Sequence, residues 1–139
     1  MQRNQYLRNL SSEHHQALAL ARDIKKACST NEQQDALIKR VEAIFVAELL
    51  PHFDIEEQTI LPALKRVGET SLVTKTLQDH AHLKKLAKSL AEPGSLVAFS
   101  SALKEHVRFE ERTLFEVCQS VLTDDELATI DSLHRQSER

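Results

Sequence analysis

Glycine and proline are scarce in this chain, which has two glycines and three prolines among 139 residues. Runs in which valine, isoleucine or threonine alternate with polar residues are also missing. So few helix-breaking residues and so little strand patterning argue against a β-rich fold and favour an all-helical protein. Apolar residues make up 41% of the chain and charged residues 28%, as in a folded globular domain rather than a disordered segment.

Long apolar runs and concentrated positive charge are absent as well. No stretch approaches the roughly 18 to 20 apolar residues that a membrane-spanning helix needs. The formal net charge is −3 and no basic patch stands out, so neither a nucleic acid nor a membrane is expected as a partner. The N-terminal segment MQRNQYLRNLSSEHH is too polar for a secretory signal, so we expect a cytoplasmic protein.

The two cysteines, Cys28 and Cys118, are far apart and form no CxxC spacing. This argues against a disulfide framework, a zinc ribbon and a dithiol redox motif. Both thiols are expected to be small, buried apolar side chains.

Capping and periodicity signals divide the chain into four long helices and a short one. Ser11 is a candidate N-cap for the first helix, and capping-box patterns lie at the starts of the second and fifth. Gly68 and the Pro93-Gly94 pair are natural helix ends, whereas Pro51 should kink or restart the second helix. The expected helices cover about residues 11–27, 35–67, 70–91, 95–121 and 124–136.

Amphipathic helices with short connections pack as an antiparallel up-down-up-down four-helix bundle. We therefore expect a single all-α domain over residues 1–139. Its core bundle should cover about residues 7–121, with an accessory fifth helix at about 124–136 on the outside.

A repeat relates the second and fourth helices. HFDIEEQTIL at residues 52–61 aligns with HVRFEERTLF at residues 106–115. Each copy reads histidine, three residues, two glutamates, one residue, threonine and two large apolar residues. His14 and His80 precede the two copies, each on the previous helix. The chain therefore looks like two helix pairs related by an approximate two-fold axis.

Each of the four long helices has one histidine near the middle of its apolar stripe, and the second and fourth add a glutamate one turn later. These six residues are His14, His52, Glu56, His80, His106 and Glu110. Buried carboxylates without partners are costly, but metal cations remove that objection because their charge dominates the site. Four imidazoles and two carboxylates suit iron, manganese or zinc, with the carboxylates bridging two ions and water, hydroxide or a small ligand completing the site.

The same spacing has a plainer interpretation, because histidine and glutamate four residues apart often form only a surface pair. A third HxxxE pair, His134 and Glu138, lies in the polar segment LHRQSER and is expected to be solvated. For the whole set, the corresponding alternative is a bundle that uses its histidines only structurally, which requires six coincidences of helical phase.

Four segments resemble, in order, the motifs of the hemerythrin-like, or HHE cation-binding, family: SSEHHQALALARDI, PHFDIEEQTILPAL, LQDHAHLKKLAKSL and KEHVRFEERTLF. The resemblance covers about residues 7–121 and implies an antiparallel four-helix bundle around a non-haem di-iron site. The implied cofactor is two iron ions with a bridging oxo or hydroxo group, with manganese or zinc as alternatives. The implied ligands are the six residues given above, with Glu56 and Glu110 bridging the ions.

The ligand set resembles that of repair-of-iron-centres proteins, or of eukaryotic iron-sensing hemerythrin domains, more than that of oxygen-carrying hemerythrins. Those carriers use five histidines, including HxxxH on the third helix, where this chain has Lys84 four residues after His80. His82 lies about 200° round the helix from His80 and is a poor substitute. The resemblance therefore points away from reversible oxygen carriage.

Three neighbouring residues are candidate outer partners of the ligands. Glu57 and Glu111 follow the glutamates in both copies of the repeat and could each hydrogen-bond a ligand histidine, with a plain surface role as the alternative. His15 is adjacent to His14 but about 100° away on the helix, so it is either an outer partner or a surface residue.

The sequence thus predicts a di-iron or other di-metal protein that binds or reacts with O₂, peroxide or nitric oxide, in sensing, stress defence or iron-centre repair. The alternative is a metal-binding sensor or interaction module without turnover. A small diatomic molecule or peroxide is the expected ligand, whereas a protein partner, the oligomeric state and catalytic turnover stay open.

Overall fold

The computed structural model describes residues 2–29 and 34–137. A capping box was predicted at Ser29-Thr30-Asn31-Glu32, at the start of the second helix. Its last three residues lie outside the described ranges. Within residues 2–29 and 34–137, none of the helices contains an apolar stretch of the length that a bilayer requires.

Five helices and no strands form over the described ranges, which confirms the all-α bundle with a short C-terminal helix. The helices α1, α3 and α5 span Arg8–Ser29, Thr70–Ala87 and Asp124–Ser137. Helix α2 is continuous over residues 34–66 and α4 over residues 95–121, each with short π-helical turns inside it.

Consecutive helices of the bundle pack side by side, and α4 closes the bundle against α1. The α1–α4 pair is antiparallel. Near one end the backbone N–H of Asn4 donates to Gln119 Oε1 (2.7 Å), and further along Ser100 Oγ donates to the carbonyl of Ala21 (2.8 Å). Helix α5 packs across the middle of α2.

Two apolar clusters make up the core, one towards each end of the bundle. One includes Ile24, Phe45 and Phe99. The other includes Leu10 and takes in Ile130 of α5. Burying a side chain of this size contributes roughly 1.5–3 kcal/mol. On each of the four bundle helices the candidate ligands lie between the two clusters. Apolar packing on both sides therefore fixes the position of these polar residues along the bundle axis.

The predicted end of α2 is confirmed, whereas α3 ends earlier than predicted. Gly68 follows α2 with a φ of +89°, which favours glycine, and its N–H donates to the carbonyl of Lys65 (3.1 Å). Helix α3 ends at Ala87 instead of residue 91 because the chain continues in tight i→i+3 turns, such as the bond from Ser89 N–H to Leu86 O (3.1 Å).

The predicted cap of α5 is confirmed, but that of α1 is wrong. Thr123 N–H donates to Glu126 Oε1 (2.9 Å), and Glu126 N–H donates back to Thr123 Oγ1 (3.1 Å), which completes a capping box. Ser11 lies inside α1, since its N–H donates to the carbonyl of Leu7 (3.0 Å). Its hydroxyl donates to Glu111 Oε2 (2.7 Å) on α4 instead of capping the helix.

Both copies of the sequence repeat contain a π turn that begins at the candidate ligand glutamate. The N–H of Leu61 donates to the carbonyl of Glu56, and that of Phe115 donates to the carbonyl of Glu110, five residues back in each case. Such wide turns inside α-helices are frequent at functional sites.

The restart expected at Pro51 occurs as a change in hydrogen bonding, while α2 itself stays continuous. A π turn at Phe45–Leu49 comes directly before Leu50–Ile55, where the α-helical pattern resumes. Proline has no N–H to donate, so a change in the hydrogen-bond ladder here is the expected response.

Two residues that the helical phase places on buried stripes are exposed. Leu77 is 43% exposed and Val121 is 39% exposed. Beside Leu77, Thr76 is buried instead, and its hydroxyl donates to the carbonyl of Leu72 (2.8 Å), so the burial leaves no polar atom unpaired.

Candidate metal centre

The six candidate ligands converge between the two apolar clusters. All six are buried, and Glu56 and Glu110 are completely so. They form two groups, each with two histidines and both glutamates, and the ligand atoms within a group all lie within 4.8 Å of one another. The groups are His14, His52, Glu56 and Glu110, and Glu56, His80, His106 and Glu110.

Glu56 presents one carboxylate oxygen to each group. Its Oε2 lies 3.1 Å from His52 Nε2, and its Oε1 lies 3.0 Å from His80 Nε2. A carboxylate in this position can bridge two cations that are held by different histidines.

Glu110 has the equivalent position on α4. Its Oε1 lies 2.8 Å from His14 Nε2, and its Oε2 lies 3.3 Å from His106 Nε2. Among the described residues, that Oε2 and that Nε2 have no hydrogen-bond partner, although both are buried. Buried polar atoms are rarely left unsatisfied, so a cation between them fits this donor set.

Every candidate histidine is oriented by a carboxylate from a neighbouring helix. The Nδ1–carboxylate pairs are His14 with Glu111 (2.7 Å), His52 with Glu13 (2.7 Å), His80 with Glu57 (2.6 Å) and His106 with Asp79 (3.0 Å). An ionised carboxylate only accepts, so each Nδ1 donates its proton outward. The four Nε2 atoms are thereby aimed at the centre, as metal-binding imidazoles usually are.

These four pairs form a closed ring around the bundle, linking α1 to α4, α4 to α3, α3 to α2 and α2 to α1. Glu57 and Glu111 were candidates from the repeat, but Glu13 and Asp79 were missed. The missed signal is an acidic residue directly before each stripe histidine on α1 and α3. We name Glu13, Glu57, Asp79 and Glu111 the outer carboxylates.

The other residues singled out from the sequence are His15 and the two cysteines. His15 is exposed, so its surface alternative describes its position. Cys118 is buried and Cys28 is half-buried. Burial, together with the charges of Glu110 and Glu56, raises the pKa of the Cys118 thiol to about 12, so it stays protonated and uncharged at neutral pH.

Helix α5 adds a histidine to the surroundings of the centre. The prediction that His134 is solvated is wrong, because this residue is 3% exposed and its Nε2 lies 3.2 Å from both oxygens of Glu13. His134 shares the buried face of α5 with Leu127 and Ile130, at the i, i+3, i+7 spacing of an amphipathic helix. Glu138, its expected partner, lies outside the described residues.

Two aromatic rings wall the centre. Phe53 stacks on His80 with ring centroids 4.1 Å apart, and Phe115 stacks on His14 at 5.2 Å. Both phenylalanines are buried, so they restrict the histidine rings and keep water from these sides. Charges interact more strongly where water is excluded.

The centre stabilises positive charge. Burial lowers the pKa of His80, but interactions with Glu110 and Glu56 outweigh it and raise the pKa to about 9. Burial likewise lowers the pKa of His106, but the charge of Glu110 and the hydrogen bond to Asp79 raise it to about 10. Burial raises the pKa of Glu110, yet the charge of His106 holds it well below its usual range. The ionised carboxylates therefore stabilise positive charge at the centre, either as protonated histidines or as a metal cation.

A cavity of about 800 Å³ opens between α1 and α2 and reaches the centre. Its lining includes His14, His52 and Glu110. At its rim the side chains of Asp23 and Arg40 form an ion pair (3.1 Å) that joins α1 to α2. The group that contains His14 and His52 is therefore open to a small molecule entering from this side.

Glu57→Gln is expected to weaken cation binding by about 10- to 100-fold, because a neutral amide orients His80 less firmly than the carboxylate does. Competition with a chromogenic chelator measures this loss. Glu42→Gln is the matched control, since Glu42 lies on the same helix but is exposed. Equal affinities in the two variants would contradict an orienting role for Glu57.

Residues 6–118 match the family model of the hemerythrin HHE cation-binding domain. The comparison with curated proteins and the comparison with solved structures each found no match. The matched region contains the six candidate ligands and ends before α5. The helical bundle and its buried histidine–glutamate groups are compatible with metal binding, as this match implies. The chain belongs to the hemerythrin HHE cation-binding family.

Proposed function

We propose that the chain holds two metal cations, one in each histidine–glutamate group, with Glu56 and Glu110 bridging them. The observation that carries this proposal is the sharing of both buried carboxylates between the two groups. Without cations, two adjacent buried carboxylates are costly unless protonated histidines balance them. Two cations bound to the Nε2 atoms and the carboxylate oxygens would balance the negative charge in place of the protons.

We propose iron as the bound metal, with manganese or zinc as alternatives. Each group offers two imidazole nitrogens and two carboxylate oxygens, a mixture that suits these metals. Four protein atoms do not fill a six-coordinate ion, so water, hydroxide or a small ligand would complete each site.

We further propose that the loaded centre binds or reacts with O₂, peroxide or nitric oxide. Bound iron would supply the redox chemistry that such ligands require. The chain's own residues provide a route to the centre along the cavity beside His14 and His52. Phe53 and Phe115 shield two of the histidine rings from water. Sensing, stress defence and iron-centre repair are roles that this reactivity would serve.

The test is an anaerobic titration of the Fe²⁺-loaded protein with O₂ and, separately, with nitric oxide. We expect about two irons per chain, as two groups require, and a change in the visible or near-ultraviolet spectrum with at least one of the two gases. The Zn²⁺-loaded protein is the control, because zinc has no redox chemistry. An iron-loaded protein whose spectrum responds to neither gas would overturn the proposed reactivity.

That outcome would favour the second candidate, a metal-binding sensor or interaction module without turnover. The donor geometry of the two groups supports cation binding in either case. In such a module the cations would hold the four helices together and so present a surface to a partner.

A further inference from the structure

Each outer carboxylate contacts a basic side chain further from the centre, and one of these four basic residues is of a different type from the others. Three of the carboxylates contact an arginine or a lysine, whereas Glu13 contacts a histidine. The pairs are Glu111 with Arg3 (3.4 Å), Glu57 with Lys84 (3.9 Å), Asp79 with Lys75 (2.8 Å) and Glu13 with His134 (3.2 Å).

His134 is also the most deeply buried of these partners. Its side chain is 3% exposed, compared with 51% for Lys75 and 39% for Lys84. Exposed ion pairs contribute little, because water screens them and the long side chains lose freedom. A buried ring that reaches both oxygens of Glu13 restrains that carboxylate much more.

We infer that α5 contributes to the metal centre through His134. This residue holds Glu13, and Glu13 in turn positions His52. His134 thereby controls how firmly the cation between His14 and His52 is retained. This inference rests on the proposed pair of cations. It assigns a positioning role to a helix that lies beyond the region matched by the family.

The contacts show how the effect would pass from α5 to the centre. Glu13 Oε1 lies 2.7 Å from His52 Nδ1 and 3.2 Å from His134 Nε2, so one oxygen serves both rings. The Glu13 side chain is 35% exposed and borders the cavity, so without His134 it is free to turn towards solvent. The His52 ring would then lose the partner that directs its Nε2 at the centre.

The rival explanation is that His134 only helps α5 to pack on the bundle. Ile130 provides the matched control, because it is 2% exposed on the same helix and belongs to the apolar cluster that α5 completes. Ile130→Ala should loosen this packing and lower Tm while leaving the histidine–carboxylate contact in place.

The experiment loads the full chain with Co²⁺, adds excess chelator and follows the cobalt absorption bands as the ions leave. The two groups should release their ions in two phases. Glu57→Gln identifies the phase that belongs to the His80 and His106 group, because Glu57 bonds to His80. The other phase then reports the cation between His14 and His52.

His134→Ala is expected to speed release in the His14 and His52 phase by about tenfold and to leave the other phase unchanged. His134→Gln should restore most of the retention, since its amide can still donate to Glu13. Ile130→Ala should lower Tm without changing the ratio of the two rates. If His134→Ala does not fold, His134→Phe fills the same space without a donor and makes the same comparison.

Equal acceleration of both phases, no acceleration, or no recovery with glutamine would overturn the inference and leave α5 a packing element only. The same preparation separates this result from the proposed function. A protein that retains two Co²⁺ ions, while its iron form ignores O₂ and nitric oxide, loses the proposed reactivity but keeps the role of His134. A protein that takes up no Co²⁺ overturns both.

Discussion

Glu110→Gln is expected to abolish the binding of both cations rather than of one. Glu110 is completely buried and presents one oxygen to His14 and the other to His106, so it belongs to both groups. An amide is neutral and cannot bridge two cations as a carboxylate does. The loss of affinity should exceed the roughly 10- to 100-fold that removal of an outer partner costs. Metal analysis of the desalted protein measures it.

Two further variants make this prediction specific. His80→Ala removes a ligand from one group only, so this variant should keep the cation between His14 and His52. Glu105→Gln changes an exposed residue on the same helix as Glu110 and should keep both cations. Retention of two cations by Glu110→Gln would show that this carboxylate does not bridge them.

Removal of the cations is expected to lower Tm by more than about 10 °C. A cation at 1,000 times its dissociation constant stabilises the folded state by about 4 kcal/mol, and each kcal/mol shifts Tm by a few degrees in a domain of this size. Calorimetry of the loaded, chelated and reloaded protein measures the effect. The Tm of Glu110→Gln should not respond to added cation. Identical melting of the loaded and chelated wild-type protein would contradict a structural contribution from the centre.

The size of this effect should also depend on pH. Without cations, the pKa values of His80 and His106 are about 9 and about 10, above the ordinary value of 6.5. Their contribution to stability is therefore complete below pH 6.5 and is lost as the pH rises through 9 and 10. In the loaded protein, protons compete with the cations for Nε2, so cation binding strengthens as pH rises. The difference in Tm between loaded and cation-free protein should therefore widen from about pH 7 to about pH 10.

Helical phase predicted the burial of the inner histidines, because burial repeats with the helical period, whereas their role as ligands stays a prediction. His14, His52, His80 and His106 lie on apolar stripes, and the structure buries them. Their position relative to one another was implied by the repeat. Leu77 departs from the pattern since a threonine that satisfies its own hydroxyl competes for the buried position.

The surroundings of the centre were harder to predict because they depend on which helices are neighbours. Glu13 and Asp79 look like surface residues until the adjacent helix places an imidazole beside each. The polar composition of LHRQSER concealed the buried position of His134, which depends on where α5 packs. The π turn at Glu56 is followed by Pro62, as the turn at Phe45 is followed by Pro51, but the π turn at Glu110 has no proline after it and no recognised local signal.

The ring of histidine–carboxylate pairs has a direction. The ligand histidine of each bundle helix contacts a carboxylate on the preceding helix, and the outer carboxylate of each helix contacts a histidine on the following helix. In this order α4 precedes α1. On α1 and α3 the carboxylate precedes the histidine by one residue. On α2 and α4, which run the opposite way, it follows the buried glutamate by one residue.

In a right-handed helix, the residue before an inward-pointing residue and the residue after it are rotated about the helix axis in opposite senses. Helices α2 and α4 run opposite to α1 and α3, which reverses the sense once more for a viewer looking down the bundle. All four carboxylates are therefore rotated in the same sense from the inward-pointing residue of their helix. A bundle wound in the mirror-image order would present every one of them to the wrong neighbour. The order of two adjacent residues on each of the four helices is therefore compatible with only one handedness of the four-helix bundle.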